Sequence, residues 1–413
     1  MASETVGVSP ELQVSARPRV ALGDLFLAYL RVGSTAFGFA ILQELRRLVR
    51  ARGWLAEPEL NEGIALVQLY PGPVMVDLTA YVGYRLRGVP GALAATLGFV
   101  LPSFVLMVAL SAAYFALGQI AWVRPLFLGL EALVVGVVLQ MTLDLGAQHV
   151  RGTPEAAIAL AAFAGLLLHL SAVLIVLAAL GVGALLLRPA ESGTPAGSKL
   201  ASTLGKRRVP WGELAVAFVV VASALAAFLA TGALGANGAL GALTLGFLKI
   251  GAVAFGNGMT IMPLLQAEAV DLRGWLSVRE FADGIALGQV TPGPFLITAA
   301  FVGYKVAGVL GAALGTFAIF APSFAMTLLF ARLFGQVRHL APVRGAVKGV
   351  LASFVGMLAL VTLQLGQLAL TGPAPLVLAG GAFVGARYLR WPLAALFAVG
   401  LLAWAGMVLL GWA

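Results

Sequence analysis

Cysteine is absent from the 413 residues, histidine occurs only three times, and charged residues make up only 10% of the chain. Without cysteine there is no disulfide, no thiolate metal site and no thiol nucleophile. His149, His169 and His339 are scattered without ligand spacing, and neither a zinc-protease nor a Gly-Xaa-Ser-Xaa-Gly pattern occurs. No enzyme is therefore expected: no catalytic residue, no cofactor and no metal. The scarcity of charge goes with 61% apolar residues and a mean hydropathy of +1.00, which excludes folding around one water-soluble core. The chain reads as an all-α polytopic membrane protein. Acid is scarcer than base, with Asp+Glu at 17 against Lys+Arg at 26. In a membrane chain that surplus points to cytoplasmic loops held by anionic membrane lipid, with no nucleic acid as partner. The first twenty residues carry no apolar h-region behind a basic start, so no cleavable signal peptide is expected.

What is present is repetition. Glu62–Pro73, EGIALVQLYPGP, returns 221 positions later as Asp283–Pro294, DGIALGQVTPGP. Arg52-Gly53-Trp54-Leu55 precedes the first copy and Arg273-Gly274-Trp275-Leu276 the second, each followed by an acid, Glu59 and Glu280. Downstream, Val82-Gly83-Tyr84-Arg85 matches Val302-Gly303-Tyr304-Lys305, and Leu101-Pro102-Ser103-Phe104 matches Ala321-Pro322-Ser323-Phe324. A bilayer takes roughly 20 apolar residues. On that measure the apolar segments are 22–45, 60–87, 91–117, 124–146, 154–170 and 171–187, then 211–232 alone, then 240–268, 281–305, 307–335, 342–370, 374–389 and 392–412. The expected organisation is a tail over 1–21, a first repeat over 22–187, a basic linker over 188–210, a linking transmembrane helix over 211–232 and a second repeat over 240–413. Six segments, one, and six again invert the second repeat relative to the first, as in many transporters. The N-terminus and linker would be cytoplasmic and the C-terminus outside. Arg46, Arg47, Arg50 and Arg52 would then fall outside if 22–45 crossed completely, so 22–45 and 60–87 are expected to include broken or re-entrant pieces.

Polar groups inside such segments are costly and face a pathway. Pro71-Gly72-Pro73 and Pro292-Gly293-Pro294 remove backbone donors and interrupt any helix. Each break frees N–H groups at the start of the next half-helix, a positive end that attracts anions. Gln68, Gln289 and Thr291 stand beside these breaks and could add polar atoms to the site. The structural alternative is a kink sealed by neighbouring helices; equivalent breaks in both halves favour a site. Gly38 in the first half, and Gly256, Asn257 and Gly258 in the second, would let unwound backbone approach a ligand, or else pack helices closely. Arg31 and Lys249 enter both halves in the same frame, two residues before Gly33 and Gly251. Arg31 and Lys249 are expected to bind substrate, and Arg85 and Lys305 to attract the anion; for all four the alternative is to snorkel to headgroups. Asp77, Glu62 and Asp283 are candidate proton carriers, being carboxyls set in apolar surroundings. For Glu62 and Asp283 the alternative is a place in the first turn of their helices, offsetting the dipole.

Phe-Gly early in each repeat, Arg-Gly-Trp-Leu, Ala-Leu-Xaa-Gln-Xaa-Xaa-Pro-Gly-Pro, Val-Gly-Tyr-Arg/Lys and Pro-Ser-Phe, all duplicated, together resemble the chromate ion transporter family in its long, two-domain form. The resemblance covers nearly the whole chain. It implies a prokaryotic inner-membrane carrier that exports chromate and confers resistance, driven by an ion or proton gradient, with inverted repeats and thirteen spans. In the first half Phe39 replaces the second glycine of the Phe-Gly turn, so the second half is expected to contribute more to the substrate. Sulfate shares chromate's tetrahedral shape and double charge, and a channel or an organic-acid exporter would use the same devices. The expected partners are chromate or sulfate and membrane lipid, and a homodimer stays open.

Overall fold

A computed structural model describes residues 20–38, 40–117, 124–187, 238–256, 258–337 and 341–412. The basic linker, the segment 211–232, Asn257 and the tail through residue 19 lie outside the described residues. The described chain is almost entirely helical. Helix α1 (Leu22–Thr35) stops where Ala36 turns extended and Gly38 takes a positive φ of 53°. Helix α2 (Ala40–Ala51) buries Ile41, Leu45 and Val49 on one face. A four-residue spacing keeps those three on one stripe and leaves the arginines on the other. Helix α3 (Glu57–Leu66) opens with a proline in its first turn and the acids Glu57 and Glu59. It ends before the first Pro-Gly-Pro, and α4 (Val74–Leu117) begins directly after it. Helices α5 (Arg124–His149), α6 (Thr153–Leu167) and α7 (Ala172–Leu186) complete the first half.

The second half repeats these features. Helix α8 (Ala239–Val253) stops before Phe255-Gly256, where Gly256 has φ 90°. A 3-10 turn (Gly258–Ile261), helix α9 (Met262–Gln266) and a π-helical turn (Ala267–Leu272) follow. Helix α10 (Val278–Val290) is set by a capping box between Ser277 and Glu280. After the second Pro-Gly-Pro come a 3-10 turn (Phe295–Ile297) and α11 (Thr298–Val337), then α12 (Ala341–Ala369), α13 (Pro373–Arg387) and α14 (Leu393–Leu409). Both long helices bend at the same place, α4 at Arg87-Gly88 and α11 at Ala307-Gly308, with glycine φ of 63° and 58°.

Among the described residues, four stretches are long and apolar enough to cross a membrane: Val74–Leu117, Arg124–His149, Phe295–Ala331 and Val343–Ala369. Helices α6, α7, α13 and α14 run 15, 15, 15 and 17 residues, about 22 to 26 Å at 1.5 Å per residue and short of the roughly 30 Å hydrocarbon core. The expected breaks within 22–45 and 60–87 are present, and 240–268 and 281–305 break in the same manner.

The halves interlock. Helix α12 of the second half packs along α6 and α7 of the first, and α5 of the first packs on α13 and α14 of the second. Small residues make these approaches close: Gly349 lies against the Ala179 carbonyl and Gly183, Gly356 against the Ala159 carbonyl, and Gly136 against the Ala379 carbonyl. Backbones touch there without side chains between them, as membrane helices do when dispersion replaces the hydrophobic drive.

Candidate anion site

The two Pro-Gly-Pro breaks do not pair with each other. Each meets the Phe-Gly break of the opposite half. Gly72-Pro73 forms a two-residue parallel strand with Phe255-Gly256, Gly72 opposite Phe255 and Pro73 opposite Gly256. On the other side, the Gly293 N–H donates to the Ala36 carbonyl at 2.9 Å, tying the second Pro-Gly-Pro to the first Phe-Gly segment. Backbone groups freed by interrupting one helix are thus satisfied across the halves.

Between these four breaks lies a cavity of about 60 Å³. By the same measure a water needs about 10–15 Å³, so the space suits a few waters or a small ion. Its wall includes Gly38, Pro73, Gly258, Gln289, Thr291, Gly293 and Pro294, together with Ile41, Met75, Met141 and Leu393. Both Pro-Gly-Pro breaks therefore border one space. The first turns of α2 (Ile41), α4 (Val74, Met75) and the 295–297 turn leading into α11 (Phe295, Leu296) all reach it. First-turn N–H groups have no intrahelical partner and sit at the positive end of the helix dipole. No charged side chain lines the cavity among the described residues, so its polarity comes from backbone, Gln289 and Thr291. The Thr291 hydroxyl donates to the Gly288 carbonyl at 3.0 Å, leaving its oxygen as an acceptor.

The remaining residues singled out in the sequence lie elsewhere. Arg31, Lys249 and Gln68 are exposed and do not line the cavity, and Pro71 and Pro292 are half-buried in the breaks themselves. Arg85 pairs with Glu59 and donates to the Tyr81 hydroxyl at 2.9 Å; its repeat equivalent Lys305 pairs with Glu280 at 2.7 Å. These cations hold the start of α3 or α10 to the following long helix. Neither Glu62 nor Asp283 occupies a first turn: α3 starts at Glu57 and α10 at Val278, and the first-turn acids are Glu57, Glu59 and Glu280. Helix starts lie five residues earlier than the acidic repeat positions, which corrects that expectation. Glu62 is exposed, whereas Asp283 is buried and accepts from the Tyr114 hydroxyl at 2.7 Å.

Asp77 is fully buried directly under the first break, against Gly72. Its neighbours Ser323 and Thr327 spend their hydroxyl protons on the Phe320 and Ser323 carbonyls at 3.2 and 2.9 Å, and Tyr70 shares a 2.7 Å hydrogen bond with Thr327. Both carboxyl oxygens of Asp77 are left without a donor.

Two residues that the sequence showed without suggesting a role are Ser103 and Ser323, the serines of the repeated Pro-Ser-Phe. Ser323 packs against Gly72 and Ser103 against Gly293. Each glycine of a Pro-Gly-Pro thus seats on the serine of the opposite half. The duplicated spacing was visible in the sequence; the crossing of partners was not.

A family model described as chromate transporter matches residues 23–184 and again residues 241–407. A chromate transport protein of Cupriavidus metallidurans is 30% identical over 90% of this chain and 94% of its own. A probable chromate transport protein of Synechococcus elongatus is 31% identical over 85% of this chain and 86% of its own. An uncharacterized transporter of Methanocaldococcus jannaschii is 30% identical over 83% of each. No solved structure matches the chain.

Proposed function

The chain belongs to the chromate transporter family, a multi-pass membrane protein, and we propose that it exports chromate across the inner membrane by alternating access, with the central cavity as its anion site. The observation that carries this reading is that all four helix breaks, two from each half, border one cavity that no charged side chain of the described residues lines. A tetrahedral dianion entering there meets helix N-termini and the Gln289 amide, and leaves without having to escape a fixed cation. Two relatives bear the words chromate transport protein in their names, which favours chromate over sulfate, with sulfate as the nearest competitor in shape and charge. Arg31, Lys249, Arg85 and Lys305 serve in this reading as cations that draw an anion toward the membrane surface. Transport is driven by an ion or proton gradient, with Asp77 and Asp283 as the buried carboxyls able to carry a proton. The linker is cytoplasmic, like the N-terminus, and the C-terminus lies outside.

Gln289→Glu tests the anion site. The substitution keeps the shape of a buried wall residue and replaces an amide by a carboxylate. At an effective dielectric of about 20, unit charges 4 Å apart interact by about 4 kcal/mol, and a dianion roughly doubles that. Purified wild-type protein should be stabilised against heat by chromate, and Gln289→Glu should fold with that stabilisation lost, corresponding to at least a hundredfold weaker binding. Undiminished stabilisation of Gln289→Glu contradicts the assignment.

A further inference from the structure

A second polar cluster joins the two halves outside the cavity wall. Asp283 on α10 and Glu131 on α5 are 2% and 1% exposed and lie within hydrogen-bond reach of each other. Tyr114 of α4 donates to Asp283 Oδ2 at 2.7 Å, and Arg279 Nε stands 3.4 Å from Glu131 Oε1. Asp283 Oδ1 and Glu131 Oε2 are left without a donor. The other ionisable groups around the cluster are Arg124 on α5, Glu280 on α10, and Lys305 and Tyr304 on α11, Lys305 being paired with Glu280 and Tyr304 stacked on Phe115. Helix α14, which also packs on α10, carries no titratable residue, and α12 carries only Arg344 and Lys348 in its first third.

Charge counting then gives the missing element. Two carboxylates against the one guanidinium in ion-pair contact with them, that of Arg279, with Arg124 exposed to solvent, leave the buried cluster with one net negative charge, which is costly away from water. One proton makes the cluster neutral. The same proton supplies the donor that the two orphaned oxygens lack. The site is built for it: three helices from both halves hold the group, and the exposed edge of Arg279 connects it to the surface. Asp283 also precedes the cavity residue Gln289 by six positions on α10, about 9 Å along the helix axis.

We propose that Glu131 and Asp283 share a single proton and form the coupling site of the transporter, a proposal that rests on reading the adjoining cavity as the anion site. With the proton bound, one carboxylic acid donates to the other carboxylate, and α5 of the first half is held to α10 of the second. When the proton leaves, two carboxylates face each other across that contact and repel. The interface between the halves loosens at the end of α10 that leads to the cavity. Proton binding and release thereby bias two arrangements of the same interface, which is the requirement for coupling a gradient to anion movement.

The test compares two transport modes of the full chain in proteoliposomes, with an infrared arm that needs no substrate. Wild type should take up labelled chromate under an imposed pH gradient and also exchange it at equal pH. Glu131→Gln should keep exchange within about twofold and lose at least tenfold of the gradient-driven uptake. The infrared arm is run in an Asp77→Asn background, which removes the other buried carboxyl without a donor; that protein should show the carbonyl stretch of a buried carboxylic acid, absent when Glu131→Gln or Asp283→Asn is added. Either substitution leaves one carboxylate with one guanidinium, a neutral cluster that needs no proton. Gradient-driven uptake at the wild-type level in Glu131→Gln, a sodium gradient replacing the pH gradient, or a carboxylic-acid band surviving in both variants overturns the proposal. If wild type neither transports nor binds chromate, the anion reading fails, and the infrared arm still decides the shared proton by itself.

Discussion

At the scale of single residues, Gly293 ties the halves together, its N–H donating to the Ala36 carbonyl and its Cα side facing Ser103. Gly293 sits at φ 99°, where L side chains are strained. A Cβ there would also come within 2.9 Å of both Cβ and Oγ of Ser103 from the other half. Gly308 is a useful contrast, since its φ is 58° and nothing lies within 4 Å of a Cβ built on it. Backbone strain of this kind costs about 1–3 kcal/mol, and the contact with Ser103 adds to it only at Gly293. Gly293→Ala should therefore lower Tm clearly more than Gly308→Ala, and adding Ser103→Gly to Gly293→Ala should recover part of the loss. Equal Tm losses in the two single variants, with no recovery in the double variant, would remove the case for a close contact between the halves at this point. Asp77 marks a departure from the repeat: it fills the space under the first break, while the aligned region of the second half supplies Thr298, whose hydroxyl turns back to the Phe295 carbonyl at 3.1 Å.

At the scale of elements, the breaks were legible because proline and glycine act locally. Pro71-Gly72-Pro73 and Pro292-Gly293-Pro294 interrupt helices wherever they occur, and the structure stops α3 and α10 just before them. The arginines of α2 signalled an incomplete first crossing for a similar reason, since so many charges cannot lie in hydrocarbon. The bends of α4 at Arg87-Gly88 and of α11 at Ala307-Gly308 fall where the sequence divides its apolar segments, between 87 and 91 and between 305 and 307, although each long helix continues through the bend. Helix starts were also misplaced, because an acid repeated at Glu62 and Asp283 looks like a first-turn acid until the proline or the capping box upstream is weighed. Least legible was which break meets which. The strand between Gly72-Pro73 and Phe255-Gly256 joins residues more than 180 positions apart, and repeat spacing alone is silent on whether equivalents pair with themselves or cross. For the same reason Glu131 escaped notice: it has no acidic counterpart in the other repeat and acquires its meaning only from Asp283 across the interface.

At the scale of the whole molecule, the exchange of helices between halves changes what a moving part can be. Helix α12 packs on α6, α7 and α5, and α5 packs also on α13 and α14. These contacts cross between the halves, so the two sequence repeats are not two separately packed bodies. The orientation proposed for this assembly is checked by fusions at Ser198 and at Ala413. A reporter that fluoresces only in the cytoplasm should light at Ser198, and one active only outside should work at Ala413; the same side for both contradicts inverted halves. The account as a whole stands on transport of an oxyanion through the cavity. Everted membrane vesicles bearing the full chain, given labelled chromate and an imposed pH gradient, test this most directly. Gradient-dependent accumulation should be competed by sulfate and abolished in Gln289→Glu at equal membrane abundance. Accumulation no greater than in vesicles without the protein, or accumulation unchanged by Gln289→Glu, would contradict it.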